Sequence, residues 1–149
     1  MEIHKRILGL DVGDKRIGIA VSDEMGVTAQ FVGTLERSQT PDDFEKVIEA
    51  AEKYDAAFIV VGLPKKLNGS SSPQTDKVQG FLNELKNRSK IPVRAWDERF
   101  TTSSAEASLI EAGMRRKSRR KVIDSVAAQI MLQHYLDCNQ SQGRTDREG

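Results

Sequence analysis

The chain has 149 residues, a length that suits one domain with one hydrophobic core. Its 23 lysines and arginines nearly balance 22 aspartates and glutamates, so the net charge of +1 indicates no class of partner. The single cysteine, Cys138, excludes an internal disulfide and fits a reducing compartment. No apolar run reaches the roughly 20 residues that span a bilayer, and the N-terminus does not resemble a signal peptide. We therefore expect a soluble, cytoplasmic protein with no membrane partner.

Three extended segments open the chain, at residues 6–11, 17–22 and 27–35. Turn-like residues separate them, at Gly13–Lys15 and again at Asp23–Gly26. Connections this short predict three consecutive antiparallel strands.

Helices and strands then alternate. A helix is predicted to start at Thr40 and Pro41, where two acids follow. The apolar run at 57–62 predicts a strand buried on both faces. Residues 63–73 are predicted to form a polar loop. A helix is predicted around 78–85 and a strand around 91–96. Two further helices are predicted around 102–112 and 121–137. This order predicts an α/β fold, a mixed sheet with helices on its faces. We expect one domain over residues 1–138 and a disordered tail over 139–149.

Asp11 ends the first apolar strand, and strand ends in α/β sheets are where sites are usually built. A carboxylate among apolar neighbours is costly unless it is paired or binds a cation. The alternative is that Asp11 only caps the turn that follows.

Asp97 and Glu98 follow the strand at 91–96. Successive strand residues point to opposite faces, so the two acids are not expected to reach one site together, and we choose Glu98. The alternative is a solvated acid pair with Arg99 as its partner.

Asp124 shares one stripe of the last helix with Ala128, Met131 and Tyr135. A carboxylate on an apolar, core-facing stripe rarely lacks a partner. A buried ion pair is the alternative to a functional role.

Convergence of Asp11, Glu98 and Asp124 at one end of the sheet would make an acidic centre. Hard divalent cations, Mg²⁺ or Mn²⁺, relieve the repulsion among clustered carboxylates. Such ions can activate water and stabilise the leaving oxygen of a phosphodiester. The spacing of the three acids allows this convergence without proving it.

With these residues in view, the sequence closely resembles the YqgF family, described as pre-16S rRNA nucleases and, in older usage, as Holliday junction resolvases. The matching segments are LDVGDKRIGIAVSD at 10–23, VGLP at 61–64 with Asn68-Gly69, DERFTT at 97–102 and DSVAA at 124–128. The resemblance implies a ribonuclease H-like fold, with a central five-stranded mixed sheet flanked by helices on both faces. It also implies catalytic and metal-binding roles for Asp11, Glu98 and Asp124, and cleavage near the 5′ end of a ribosomal RNA precursor.

Basic residues near these acids are candidates for binding a nucleic-acid backbone. The dense run just before Asp124 either contacts phosphates or is a solvated face. Arg16 and Arg99 either contact phosphate or pair with the acids, and the polar loop after the buried strand either guides substrate or is a plain surface loop. The candidates are Arg16, Lys65, Lys66, Asn68, Arg99, Arg115, Arg116, Lys117, Arg119, Arg120 and Lys121.

Three other functions compete with an RNA nuclease. A resolvase of branched DNA would differ only in substrate and would generally act as a dimer, since it cuts two strands symmetrically. A non-catalytic factor bound to ribosomal particles would rely on the basic run alone. A sugar kinase-like ATPase would need two large lobes, which 149 residues do not hold. We expect a monomer or weak homodimer.

Overall fold

The computed structural model describes residues 6–64, 72–97 and 116–141, and in the last helix it describes the side chains of residues 126–138. Within these ranges lie five strands: β1 (Arg6–Val12), β2 (Arg16–Ser22), β3 (Ala29–Glu36), β4 (Ala56–Leu63) and β5 (Val93–Asp97). Three helices accompany them there: α1 (Asp42–Lys53), α2 (Pro73–Arg88) and α3 (Arg116–Ser141).

The strands form one mixed sheet in the order β3-β2-β1-β4-β5. The first three strands are antiparallel, as predicted, whereas β1, β4 and β5 run parallel to one another. The carboxyl ends of β1, β4 and β5 therefore share one edge of the sheet, which we call the carboxyl edge. β1, the central strand, brings its end to the middle of that edge.

Alternating side chains of β1 point to two separate layers. Leu8, Leu10 and Val12 join the larger apolar cluster, which also contains buried residues of α1 and α2. The residues between them point to α3, whose apolar side chains form a second cluster with Ala20 and Val60 of the sheet. Helices thus cover both faces of the sheet, which confirms the predicted fold class.

The long helix α3 is anchored at both margins of the sheet. On the β3 side, the side chain of Gln133 accepts a hydrogen bond from the amide of Ala29 (2.8 Å) and donates one to the carbonyl of Val27 (2.9 Å). On the β5 side, the Tyr135 ring packs edge-on against Trp96, with 5.2 Å between ring centroids. These contacts fix the angle at which α3 crosses the sheet.

Element boundaries differ from the predicted ones mainly in the helices. Pro73, predicted as the end of a loop, is the first residue of α2, where the Ser72 hydroxyl caps the helix by accepting from the amide of Thr75 (3.2 Å). Helix α3 begins at Arg116 rather than at residue 121 and continues through Ser141. The predicted helix at 102–112 lies outside the described residues. None of the helices in the described segments is long and apolar enough to cross a membrane.

Candidate active site

Asp11 lies one residue before the end of β1, at the carboxyl edge. It pairs with Gly18 of β2 and is half-buried, between the buried Leu10 and Val12. Because Leu10 and Val12 point to α1 and α2, strand alternation places Asp11 on the face covered by α3.

Gly9 shows how closely α3 approaches this face. Two residues before Asp11, its backbone lies against the side chain of Leu132. The Tyr135 ring packs against Phe58, the β4 partner of Ile7. Tyr135 also reaches Trp96 at the end of β5, so the contacts with β3 define the direction of α3. Gln129 donates to the Ala29 carbonyl and Gln133 to the Val27 carbonyl, so α3 passes back along β3, which runs parallel to β1. The N-terminal half of α3 therefore extends towards the Asp11 end of the sheet.

Helix α3 buries the stripe predicted from the sequence. Ala128 and Met131 are fully buried and Tyr135 nearly so. Position 124 belongs to the same helix, one turn before Ala128, although its side chain is not among those described. The predicted apolar stripe is therefore confirmed at its three apolar positions, and the role of Asp124 stays a prediction.

The end of β5 supplies the second predicted segment. Asp97 is its last residue and pairs with Leu63 of β4. Trp96 points to α3, so Asp97 belongs to the opposite face. Glu98 lies outside the described residues, as do Lys65, Lys66, Asn68, Arg99 and Arg115.

Arg16 opens β2, and by strand alternation it shares the α3 face with Asp11, since Ile17 points to the other cluster. Its Nε lies 3.4 Å from a carboxylate oxygen of Glu36, whose side chain is largely exposed. An exposed pair of this kind contributes about 0–1 kcal/mol, so the pair with Glu36 does not by itself fix the guanidinium of Arg16.

The predicted basic run, apart from Arg115, lies within α3 rather than ahead of it. Its members after Arg115 occupy the first turns of the helix, so they succeed one another around a helical surface rather than along a loop. They are Arg116, Lys117, Arg119, Arg120 and Lys121.

Sequence reasoning missed a network attached to the turn that follows Asp11. Asp43, predicted only as an acid of the first turn of α1, is buried and accepts hydrogen bonds from Ser38, from the Gln39 amide and from Arg37. Burial by itself raises the pKa of Asp43, but the bonds from the amide and hydroxyl of Ser38, from Gln39 and from Arg37 hold that pKa below its ordinary value of 3.8. Asp43 is therefore a buried, ionised carboxylate that organises the segment before α1.

Among the described side chains, no three potential metal ligands of the histidine, cysteine and carboxylate types lie together. Of the three predicted acids, that set of side chains contains Asp11 alone. Since the side chains of Glu98 and Asp124 are not described, the acidic centre stays a prediction.

Comparison with protein families gives one match over most of the chain. A family model described as RuvX: Holliday junction resolvase matches residues 5–138. Relatives from Clostridium acetobutylicum (46% identical over 132 residues) and Thermoanaerobacter pseudethanolicus (48% over 133) are both named "Putative pre-16S rRNA nuclease". Each alignment covers 89% of this chain, and respectively 98% and 96% of the relative.

Solved structures with a similar fold have much lower sequence identity. RuvC of T. thermophilus in complex with a Holliday junction substrate has a TM-score of 0.55 at 17% identity, covering 93% of this chain and 97% of its own. The fowlpox virus Holliday junction resolvase has a TM-score of 0.51 at 16% identity, covering 89% of this chain and 99% of its own. At this level of identity the likeness supports the fold alone.

Proposed function

Because the chain belongs to the RuvX family of nucleases, we propose that it hydrolyses the phosphodiester backbone of precursor 16S ribosomal RNA at an acidic centre formed by Asp11, Glu98 and Asp124. The observation that carries the proposal is the position of Asp11. It lies at the carboxyl edge, on the face of the sheet that α3 covers. The N-terminal half of α3 extends towards this same edge.

The direction of α3 supports a role for Asp124. Eight residues separate Asp124 from Leu132, which at 1.5 Å per helical residue is about 12 Å. The strand advances about 7 Å between Gly9, which contacts Leu132, and Asp11. Because α3 crosses the sheet at an angle, its advance along β1 is shorter than its length, which would bring position 124 close to the level of Asp11. Position 124 also belongs to the helical stripe whose later members, Ala128 and Met131, are buried against the sheet.

Strand alternation supports the choice of Glu98. Trp96 points to α3 and Asp97 to the opposite face, so the next position is expected to return to the α3 face, where Asp11 lies. β1 and β5 end at the same edge with only β4 between them, so an acid that directly follows β5 is a candidate to share a ligand with Asp11.

A divalent cation fits this donor set, because the half-buried carboxylate of Asp11 offers the hard oxygen ligands that Mg²⁺ and Mn²⁺ prefer. Asp11, Glu98 and Asp124 would hold the metal, which would supply charge stabilisation for the reacting oxygens of a phosphodiester. Asp11 contributes a fixed carboxylate, since it lies on the central strand. Arg16 and the basic first turns of α3 would neutralise phosphates on either side.

Ribosomal RNA is the favoured substrate. The relatives that carry the name of a pre-16S rRNA nuclease are 46% and 48% identical and are matched over nearly their whole length. The structural neighbour that is bound to a DNA junction is only 17% identical to this chain, so it supports the fold alone. A junction resolvase stays the second candidate because the family description names that activity.

The test is an incubation of a 16S precursor RNA and a four-way DNA junction, side by side, with Mg²⁺, with Mn²⁺ and with chelator. Wild type is compared with Asp11→Asn, Glu98→Gln and Asp124→Asn. Asp97→Asn is the matched control, since it removes a neighbouring charge on the opposite face. We expect metal-dependent cleavage of the RNA by wild type and by the control, and none by the three variants.

Full activity of Asp124→Asn or Asp11→Asn would contradict the assigned centre. Cleavage of the junction alone, by a protein that is dimeric in solution, would assign the second candidate function instead.

A further inference from the structure

In the turn that follows Asp11, three successive backbone carbonyls accept hydrogen bonds from residues outside the turn. The Gly13 carbonyl accepts from Nη1 of Arg37 (2.9 Å), and the Asp14 carbonyl accepts from Nε2 of Gln39 (2.7 Å). The Lys15 carbonyl accepts from the backbone amide of Arg37 (2.9 Å). A three-residue turn at the surface is therefore attached at every residue to the segment between β3 and α1.

That segment is itself fixed by Asp43. The Asp43 carboxylate receives the Ser38 amide (2.9 Å) and the Gln39 amide (3.1 Å), and Nε of Arg37 lies 3.5 Å from it. The guanidinium of Arg37 also lies over the Phe81 ring, 5.2 Å from its centroid. Arg37 thus bridges a buried carboxylate on one side and the turn on the other, with its side chain only 16% exposed.

These contacts exceed what a hairpin turn needs for its own stability. The turn already closes on itself, since the Gly13 amide donates to the Arg16 carbonyl (2.9 Å). What the outer contacts add is a fixed position for the end of the β1–β2 hairpin, where Asp11 and Arg16 lie on one face. Apart from its strands, the hairpin end has one other described contact, the exposed ion pair of Asp14 with Lys77 of α2 (3.7 Å), and a pair of this kind holds the turn only weakly.

We propose that Arg37 and Asp43 are positioning residues for the nuclease centre, fixing the turn at Gly13–Lys15 so that Asp11 and Arg16 keep one relative placement when substrate binds. This inference rests on the proposed function of Asp11. Neither residue is expected to touch the substrate or the metal, so their loss should lower turnover rather than binding. A misplacement of about 1 Å lowers turnover by up to about a hundredfold.

Two variants test the proposal. Arg37→Lys keeps a positive charge beside Asp43, but a lysine lacks the planar fork that reaches Asp43 and Gly13 together. Asparagine is one methylene shorter than glutamine, so Gln39→Asn removes the hydrogen bond to the Asp14 carbonyl. Asparagine also tolerates the positive φ of 61° at this position. The second variant keeps the test valid should the first fold poorly.

Asp23→Asn is the matched control. Asp23 also organises a turn, accepting from the amides of Val27 (2.7 Å) and Thr28 (3.1 Å), but that turn joins β2 to β3 at the opposite edge of the sheet. It tests whether loosening any hairpin of this sheet lowers turnover.

The experiment measures kcat and KM on the precursor RNA, and separately the hydrogen exchange of the Gly13 amide in metal-free protein. We expect kcat to fall ten- to a hundredfold in Arg37→Lys, and less in Gln39→Asn, with KM changed by less than about twofold. Exchange at Gly13 should accelerate in both variants and stay at the wild-type rate in Asp23→Asn.

Wild-type kcat in both variants, or an equal loss of kcat in Asp23→Asn, would overturn the positioning role. Asp11→Asn is assayed in parallel. If Asp11→Asn is inactive and Arg37→Lys is fully active, only the positioning role fails. If Asp11→Asn is fully active, the proposed centre fails, and the inference fails with it.

Discussion

Gly9 of β1 and Leu132 of α3 are in such close contact that the helix leaves no room for a side chain between them. A Cβ at Gly9 would lie 3.0 Å from the Cβ of Leu132 and 3.3 Å from both of its Cδ atoms. The Leu132 Cβ is bonded directly to the helix backbone, so rotation of the leucine side chain does not relieve the closest contact. The distance between the central strand and α3 is therefore set by a glycine.

We expect Gly9→Ala to push α3 away from β1 and to lower the free energy of unfolding by about 1–3 kcal/mol, as overpacking does. Urea denaturation measures this loss. The nuclease rate should fall as well, because Asp124 would move relative to Asp11. In the control Gly80→Ala, nothing lies within 4 Å of the new methyl group, and the helix should gain about 0.5–1 kcal/mol. An unchanged unfolding curve for Gly9→Ala would contradict this account of the contact.

Asp43→Asn should destabilise the protein in a pH-dependent way. The pKa of Asp43 is lowered in the folded state, so its ionisation adds stability that is present above 3.8 and is lost as the pH falls through the lowered pKa. Removing the charge should cost about 2 kcal/mol at pH 7. The difference in unfolding free energy between wild type and variant should narrow below pH 3.8. Denaturant titrations at several pH values test this, and a constant difference down to the acid transition would count against an ionised, buried carboxylate.

Gln133→Ala should loosen the β3 side of α3. The substitution leaves the amide of the buried Ala29 without its partner, at a cost of about 1–3 kcal/mol, and it removes the bond to the carbonyl of Val27, which is exposed and can bind water instead. Thermal unfolding is the measurement. Gln79→Ala, which removes an exposed side-chain pair with Asn83 on the surface of α2, should cost much less. Equal losses in the two variants would show that the bonds to β3 contribute little.

Neutralising the basic first turns of α3 should weaken RNA binding and flatten its dependence on salt. For every phosphate that the protein no longer neutralises, the slope of log K against log salt should become shallower by about 0.7–0.9. Binding titrations between low and moderate salt measure the slope for a variant with glutamine at Arg116, Lys117, Arg119, Arg120 and Lys121. Changing the exposed Lys86 and Lys90, on the opposite side of the sheet, provides the control. A slope equal to that of wild type would mean that the basic run is a solvated face and does not contact phosphates.

The sheet and its two faces could be predicted because each rests on local sequence patterns. The apolar run at 57–62 predicted a strand buried on both faces, and helical spacing assigned Ala128 and Met131 to the buried stripe of α3. Both patterns follow from the periods of strand and helix, which tertiary contacts did not alter here. No local pattern specifies which strands are neighbours, so their order could be expected only through the ribonuclease H-like fold that the family resemblance implies.

The Arg37–Asp43 network could not be predicted for a physical reason. Its bonds join a turn near residue 14 to a segment near residue 38, and no periodicity relates the two. Asp43 follows a proline and an aspartate at a helix start, where acids are common and exposed, so its burial had no signal in the sequence. The start of α3 was placed five residues late because a dense run of like charges is an unusual opening for a helix.

The central place of β1 in the sheet has a consequence for how the proposed centre meets different substrates. β1 is hydrogen-bonded to a neighbour on each side, and its next-to-last residue is Asp11. Backbone held on both sides is the least free to shift, so in the proposed centre Asp11 would be the fixed position against which the substrate backbone is aligned. In the proposed centre, differences in the shape of the nucleic acid would then be accommodated outside β1. Changes in substrate preference within the family should accordingly arise there, with β1 left as it is.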